Sequence, residues 1–121
     1  MPFTNKERPL YEIKANLFKG LSHPYRIRLL EILASNPQSA VSDLISQTGL
    51  EASHLSQHLA VLRRYQLVTS KRQANVVYYQ LAYSGVADLL LVARKLLTDI
   101  LQDSSEHQAS AQELPEITVE K

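Results

Sequence analysis

The sequence predicts a mainly α-helical domain that carries one small β-hairpin, and three observations support this fold class. Apolar residues recur at helical spacing in five separate segments. Between the fourth and fifth segments, TSKRQANVVYYQL has the β-branched and aromatic residues of two short strands around a polar turn. The chain has 121 residues, of which 45% are hydrophobic, enough for one small core. The predicted order is therefore helix-helix-helix-helix-strand-strand-helix in a single domain, residues 9–101.

The domain is predicted to begin after a short polar arm, residues 1–8, that we expect to be flexible. The first helix starts at Pro9 and ends at Gly20, a residue type that often terminates helices. Ser22 is the expected N-cap of the second helix, because its hydroxyl can accept a hydrogen bond from the first turn. Pro24 suits that first turn.

Two helices around a glycine predict a helix-turn-helix motif. The third helix spans Val41 to Thr48, and Gly49 follows it at the position where helices often end in a left-handed residue. The fourth helix spans Ala52 to Tyr65. A short helix, a glycine-containing turn and a second helix are the pattern of this motif.

On a helical wheel, the fourth helix has one apolar stripe and one polar face. The stripe consists of Leu55, Leu59 and Leu62. The opposite face is small, polar and cationic, with Ser53, Gln57, Ala60 and Arg64. Short polar side chains let a helix enter the major groove of DNA, where Ser, Gln and Arg can bond base edges or phosphates. The pattern therefore favours a helix that contacts DNA.

Charge is unevenly distributed along the chain. Residues 52–87 contain no Asp or Glu but include Arg63, Arg64, Lys71 and Arg72. Residues 1–101 carry 12 Lys or Arg against 7 Asp or Glu, whereas residues 102–121 carry one Lys against five acids. A basic body indicates an anionic partner such as the phosphates of DNA. The acidic tail is expected to be disordered.

The two strands are predicted at Leu67 to Ser70 and at Val76 to Leu81, joined by a polar turn of residues 71–75. Lys71 and Arg72 at the tip of this hairpin have little core to serve, so contact with phosphates or the minor groove is a natural use. The alternative is a solvated hairpin whose charges only aid solubility.

The last helix is predicted from its N-cap Ser84 to about Leu101, and its apolar residues cover about half of its circumference. They are Val86, Leu89, Leu90, Val92, Ala93, Leu96, Leu97, Ile100 and Leu101. One core-facing stripe needs less than this, so the excess could pair with a second subunit. The first helix, also apolar and terminal, is the other candidate for that interface. The alternative is that both helices pack only on their own core.

The histidines favour structural roles over metal binding. His54 and His58 are four residues apart, a spacing that can chelate a metal ion. However, the wheel places His58 beside the leucine stripe, which favours a half-buried, hydrogen-bonded residue, and directs His54 to DNA or solvent. His23 is expected to be structural at the start of the second helix. In the tail, His107 with Glu106 and Glu113 could form a weak surface site.

Composition excludes several other functions. The chain has no cysteine, which excludes disulfides, thiolate metal sites and thiol redox sensing. It also lacks a nucleophile–base motif and a glycine-rich phosphate loop, so we do not expect an enzyme. Its apolar runs are too short to span a bilayer and its N-terminus lacks a signal-peptide core, so we expect a cytoplasmic protein with no membrane partner.

Three segments of the chain resemble the ArsR/SmtB-type bacterial winged-helix repressors. They are Leu21-Ser22-His23-Pro24-x-Arg26, Leu55-Ser56-Gln57-His58-Leu59-x-x-Leu62 and Val76-x-Tyr78-Tyr79-x-Leu81. The resemblance covers roughly residues 10–101. It implies a winged helix-turn-helix fold in which the hairpin is the wing.

The resemblance further implies a homodimer that binds an inverted repeat of double-stranded DNA in a promoter and represses until a ligand releases it. The implied DNA contacts are Ser53, His54, Ser56, Gln57, Arg63, Arg64, Lys71, Arg72 and Asn75. The implied dimer interface, on the first and last helices, includes Leu10, Ile13, Leu17, Leu89, Val92, Leu96 and Ile100.

The sequence departs from the metal-sensing branch of this family. Residues 40–42 are Ala-Val-Ser where arsenic or cadmium sensors have a Cys-Val-Cys box. In the last helix Asp88 matches a ligand of zinc or nickel sensors, but the following ligand positions hold Leu90, Leu101 and Ser104. Since alkyl side chains cannot bind a metal, we predict no metal site and no cofactor, and the inducing ligand stays unknown.

A second function stays open at this point: a winged-helix module that docks another protein through its last helix or acidic tail. Salt-dependent affinity for duplex DNA distinguishes the two, because phosphate binding releases counterions and protein docking need not.

Overall fold

The computed structural model describes residues 4–113, with side chains over residues 4–105. Within this part of the chain the elements are α1 (Arg8–Leu21), α2 (Pro24–Ser35), β1 (Ser39–Ala40), α3 (Val41–Thr48), α4 (Ala52–Arg64), β2 (Val68–Gln73), β3 (Val76–Leu81) and α5 (Ser84–Glu113). The predicted mainly helical fold with a small β-hairpin is confirmed. The chain divides after Asp88 into two compact units, and α5 begins in the first and continues in the second.

The last residues of the predicted flexible arm have regular local structure. Residues 5–7 form a turn and α1 already begins at Arg8. Glu7 secures this turn, because its Oε2 accepts a hydrogen bond from the backbone N–H of Thr4 at 2.9 Å. Residues 1–3 of the predicted arm lie outside the described residues.

The prediction that Gly20 ends α1 is wrong, because Gly20 lies buried in the last turn of this helix. A Cβ at this position would lie 2.8 Å from Cδ1 of Leu67 and 3.1 Å from Cδ2 of Tyr65. The glycine therefore permits close packing of α1 against the segment between α4 and β2, rather than terminating the helix.

The predicted N-cap of α2 is also wrong. Ser22 ends α1, with its backbone N–H donating to the carbonyl of Lys19 at 3.1 Å. The cap is instead His23, whose Nδ1 accepts a hydrogen bond from the backbone N–H of Tyr25 at 3.1 Å. The prediction that His23 is structural at this helix start is confirmed.

The helix-turn-helix agrees closely with the sequence prediction. The bounds of α3 are those predicted, and Gly49 ends it in the left-handed conformation at φ 71°. Its N–H donates to the carbonyl of Ile45 at 2.8 Å. α4 ends one residue before the predicted Tyr65, which is its C-cap.

A strand that the sequence did not predict, β1, completes a three-stranded antiparallel sheet in the order β1-β3-β2. Ser39 pairs with Tyr79 and Ala40 with Tyr78. Both tyrosines of β3 are half-buried. Their pairing with β1 anchors the hairpin to the start of the helix-turn-helix.

The hairpin turn is shorter than predicted. β2 runs through Lys71 and Arg72 to Gln73, which pairs with Val76, so only two residues form the turn. Ala74 in this turn has φ 55°, in the left-handed region that is uncommon for residues other than glycine. The five-residue tip is therefore wrong, and Lys71 and Arg72 lie in an edge strand.

The core of the first unit is formed chiefly by leucines from α2, α3 and α4. Its fully buried large side chains are Leu29, Leu30, Leu44, Leu55, Leu59, Leu62 and Val68. Packing of α2 against α3, α4 and β3 fixes the orientation of the helix-turn-helix.

α5 continues twelve residues beyond its predicted end at Leu101 and reaches Glu113. The structure therefore extends the helix into residues 102–113, a segment for which the sequence predicted disorder. This segment contains no Gly or Pro and includes Gln, Glu and Ala, which favour helix even without an apolar stripe. Residues 114–121 lie outside the described residues.

Candidate nucleic-acid interface

α4 separates an apolar face from a polar one as predicted. Leu55, Leu59 and Leu62 are at most 2% exposed. The six predicted contact residues of this helix and its C-terminal turn are all exposed: Ser53, His54, Ser56, Gln57, Arg63 and Arg64. The leucine stripe thus holds α4 on the core while its polar face remains open to a partner.

The predicted hairpin contacts Lys71, Arg72 and Asn75 are also exposed. Because side chains alternate along a strand, Lys71 and Arg72 project from opposite faces of the hairpin. Lys71 lies opposite Tyr78 in the register, and Arg72 opposite Val77. The two charges therefore spread across both faces of the wing instead of meeting at its tip.

The cations of this surface are not neutralised within the described part of the chain. Arg63, Arg64, Lys71 and Arg72 take part in no salt bridge there. The nearest acids in the sequence are Glu51, before α4, and Asp88, in α5. The surface formed by the polar face of α4 and the hairpin, here called the basic surface, therefore suits a polyanion.

An open groove of about 350 Å³ lies at the base of the wing, and no sequence pattern indicated it. Its lining residues are Arg63, Gln66, Val68, Thr69, Ser70, Ala82 and Tyr83. Gln66, which follows α4, has φ 62°. These residues come from the end of α4 and both strand ends, so only the fold brings Arg63 beside the wing.

His58 is half-buried, as the helical wheel predicted. Its ring contacts that of His23, with 4.4 Å between centroids, and lies 5.9 Å from the ring of Tyr25. Burial lowers the pKa of His58 below its ordinary value, and the charges of His23, Arg26 and His54 act in the same direction. The sequence did not reveal this contact, because its partners are far apart along the chain.

The structure gives no support to a metal site in the described residues. Among them, no three His, Asp or Glu side chains are grouped as metal ligands. The possible tail site of Glu106, His107 and Glu113 lies outside the described side chains. Over the described residues, too, no helix has the length and apolar content to cross a membrane.

A short helix, a left-handed glycine turn, a polar-faced second helix and a basic hairpin define a winged helix-turn-helix, a fold class of DNA-binding transcriptional regulators. Residues 23–70 match the family described as bacterial regulatory proteins of the arsR family. The chain belongs to this family, so it is a transcriptional regulator with a DNA-binding winged helix-turn-helix. The family contains regulators and not enzymes, which confirms the prediction that the chain is not an enzyme.

The chain is similar to named relatives over most of its length. It is 47% identical over 98 residues to the uncharacterized HTH-type transcriptional regulator Rv0081 of Mycobacterium tuberculosis, covering 81% of this chain and 86% of that protein. The crystal structure of Rv0081 gives a TM-score of 0.75 at 47% identity, covering 80% of this chain and 97% of that one.

A solution structure of Mb0332 from Mycobacterium bovis, described as a homodimeric winged helix-turn-helix DNA-binding domain, gives a TM-score of 0.76. Its identity is 25%, with 84% of this chain and 93% of that one covered. Two further relatives carry opposite regulatory names. The biofilm growth-associated repressor of Xylella fastidiosa is 37% identical, covering 63% of this chain and 66% of that protein. The transcriptional activator HlyU of Vibrio cholerae is 36% identical, covering 66% of this chain and 73% of that protein.

Proposed function

We propose that this protein is a homodimeric repressor that binds an inverted-repeat operator through the basic surface. The observation that carries the proposal is that a fully buried leucine stripe fixes α4 while its opposite face exposes only small, polar or cationic side chains. A helix with this surface meets the steric and hydrogen-bonding demands of the major groove.

Within α4 the proposed contacts divide by position. Ser53, His54, Ser56 and Gln57 lie in the N-terminal half, which enters the major groove in helix-turn-helix proteins, so they are proposed to contact base edges. Arg63 and Arg64 lie in the last turn and are proposed to contact phosphates, which position the protein but carry no sequence information.

The wing is proposed to hold the neighbouring backbone or minor groove. Lys71 and Arg72 supply unpaired positive charge from the two faces of β2, and Asn75 supplies an amide in the turn. These contacts would raise affinity for any duplex and make it dependent on salt.

A homodimer is proposed from the apolar side chains that the single chain leaves exposed. On α1, Leu10 and Ile13 are more than 60% exposed, and Leu17 is 36% exposed. On α5, Val92, Leu96 and Ile100 are between 52% and 65% exposed, and Leu89 is half-buried. Large exposed apolar patches mark protein interfaces, and Mb0332 is described as homodimeric. A two-fold dimer would present two α4 helices to two half-sites, and for this reason the proposed operator is an inverted repeat.

Repression is the proposed regulatory direction because it follows from the resemblance to ArsR/SmtB-type repressors. We propose that the protein acts in the cytoplasm, where the promoter is accessible. Because one relative is named a repressor and another an activator, the direction of regulation needs a test of its own. A reporter driven by the bound promoter should rise when the gene for this protein is deleted, and a fall would assign activation instead.

DNA binding itself is tested by fluorescence anisotropy on duplex from upstream of the protein's own gene, with a scrambled duplex as control, over a salt series. The proposal expects tight binding to the upstream duplex that persists at moderate salt, and weak binding to the scramble. Equal, salt-sensitive binding to both would contradict self-regulation at this operator. No binding to either at low salt would favour the protein-docking module.

A further inference from the structure

A pair of imidazoles joins the start of α2 to the middle of α4. The rings of His23 and His58 have centroids 4.4 Å apart and planes inclined at 46°. The ring of Tyr25 lies 5.9 Å from each of them. These three rings, here called the ring cluster, connect the core helix α2 to the helix that carries the proposed base contacts.

The ring of His23 caps the N-terminus of α2. Its Nδ1 accepts a hydrogen bond from the backbone N–H of Tyr25 at 3.1 Å. A doubly protonated imidazole has no acceptor, so His23 can cap α2 only while Nδ1 carries no proton. Protonation at Nδ1 removes this cap and leaves the N–H of Tyr25 without its partner.

His58 lies in an environment that opposes a positive charge. It is half-buried, it contacts His23, and burial is the largest cause that lowers its pKa. Arg26 holds a fixed positive charge nearby, because its Nε donates to the carbonyl of Gly20 at 2.8 Å and its Nη2 to that of Lys19 at 3.0 Å. Protonating His58 therefore adds a positive charge that is repelled by the guanidinium of Arg26, which these two hydrogen bonds hold in place.

The charges around His58 all have the same sign. From α2 these are His23 and Arg26, and from α4 itself the exposed His54. The groups that lower the pKa of His58 include no carboxylate. Because none of these groups is a carboxylate, proton uptake at the ring cluster is opposed by repulsion and compensated by no anion.

We propose that the contact between His23 and His58 is a proton-sensitive joint that holds α4 in position, so that acidification weakens sequence-specific DNA binding. This inference rests on the proposed function. Gln57, a proposed base contact, is the neighbour of His58 in α4. In the proposed joint, the repulsion that opposes a proton on His58 separates the two rings, shifts α4 relative to α2 and moves Gln57 away from its base edge.

The direction of the pH dependence follows from the linkage between proton binding and folding. The pKa of His58 in the folded protein is lower than in the unfolded chain, so the unfolded chain binds its proton at higher pH. The stability from the neutral contact is fully present above the ordinary histidine pKa of about 6.5 and is lost as the pH falls from there through the lower pKa of His58 in the folded protein. The joint therefore opens on the acidic side of neutrality.

Protonation also adds positive charge near DNA, which strengthens binding to any duplex. The joint is therefore measured as a discrimination ratio, the Kd for scrambled duplex divided by the Kd for the upstream duplex, because the phosphate contribution cancels. The ratio is followed from about pH 8 to about pH 5.5, the range in which histidine titrates.

Three variants accompany the wild-type protein. His58→Gln removes the titrating ring on α4. His23→Asn removes the ring on α2 but retains an N-cap, because Asn is among the preferred capping residues. His107→Gln is the matched control, since it removes a histidine remote in sequence from the pair.

The wild-type ratio is expected to fall roughly tenfold over this range, because the joint opens as His58 takes up a proton. The ratio of His107→Gln should fall by the same factor, whereas the ratios of His23→Asn and His58→Gln should change by less than about twofold. The same fall in wild type and His58→Gln would overturn the joint while leaving the proposed function intact.

Histidine ring titration by NMR separates failure of the joint from failure of the proposed function. Removing His23 removes one of the charges that oppose protonation of His58, so His23→Asn should raise the titration midpoint of His58 and His107→Gln should not. If the wild type shows no discrimination at about pH 8, self-regulation at this operator fails. The proposed joint can still be tested in that case. A titration midpoint of His58 that is the same in His23→Asn as in the wild type overturns it.

Discussion

α4 and α5 are both amphipathic helices, but they expose opposite kinds of surface. In α4 the large apolar residues are buried in the chain's own core, and what remains exposed is polar and cationic. In α5 the large apolar residues beyond Leu90 are more than half exposed. The exposed face of each helix suits the partner proposed for it, a polyanion for α4 and an apolar surface for α5.

The two kinds of exposed surface predict different responses of binding to salt. Apolar burial responds little to moderate salt, whereas phosphate contacts weaken steeply as salt rises because counterions are released on binding. The proposed dimerisation through α5 should therefore persist under salt conditions that weaken the proposed DNA binding through α4. Substitutions on the exposed face of α4 should likewise affect DNA binding, and substitutions on the exposed face of α5 should affect dimerisation.

The largest expected effect is on the buried side of α4. Leu62 is fully buried, so Leu62→Ala should lower the free energy of unfolding by about 2–5 kcal/mol through lost burial and the cavity left behind. Urea unfolding, compared with wild type at one protein concentration, measures this. A loss below about 1 kcal/mol would contradict the assignment of this stripe to the core.

The next effect concerns the exposed side of α5. Leu96→Glu places a charge in the proposed dimer interface and should raise the dimer dissociation constant at least about a hundredfold, or about 2.8 kcal/mol. Sedimentation equilibrium measures the constant. Thr98→Glu adds the same charge about 200° around the helix from Leu96 and should have a much smaller effect. Equal effects of the two variants would show that the interface lies elsewhere.

The smallest effect concerns salt dependence at the wing. Lys71→Ala should weaken binding to specific and scrambled duplex about equally, and should flatten the salt slope by about one unit for each wing that contacts DNA. Thr69→Ala, two residues earlier on the same face of β2, removes no charge and should leave the slope unchanged. An unchanged slope in Lys71→Ala would remove Lys71 from the phosphate contacts.

The sequence predicted the helix-turn-helix almost to the residue because its determinants are local. Gly49 marks the end of α3, and the leucine spacing defines α4. The exposure of the predicted contact residues follows from the same spacing, since residues opposite a buried stripe face solvent. Their contact with DNA stays a prediction.

The differences from the prediction arise where the determining interaction is distant or the local pattern is weak. β1 has only two residues, and its partner Tyr79 lies 40 positions after Ser39. β2 extends through Lys71 and Arg72 because pairing with β3 supports polar residues that carry no strand pattern. The ring contact of His23 with His58 likewise requires α2 to pack against α4.

The central claim is that the exposed face of α4 distinguishes base sequence, and Gln57→Ala tests it most directly. A well-placed amide contact contributes about 1–3 kcal/mol of discrimination, so this variant should lose about tenfold or more affinity for the upstream duplex. Its affinity for scrambled duplex should change little, because the phosphate contacts remain. Equal losses on both duplexes in the same anisotropy experiment would contradict base recognition by α4.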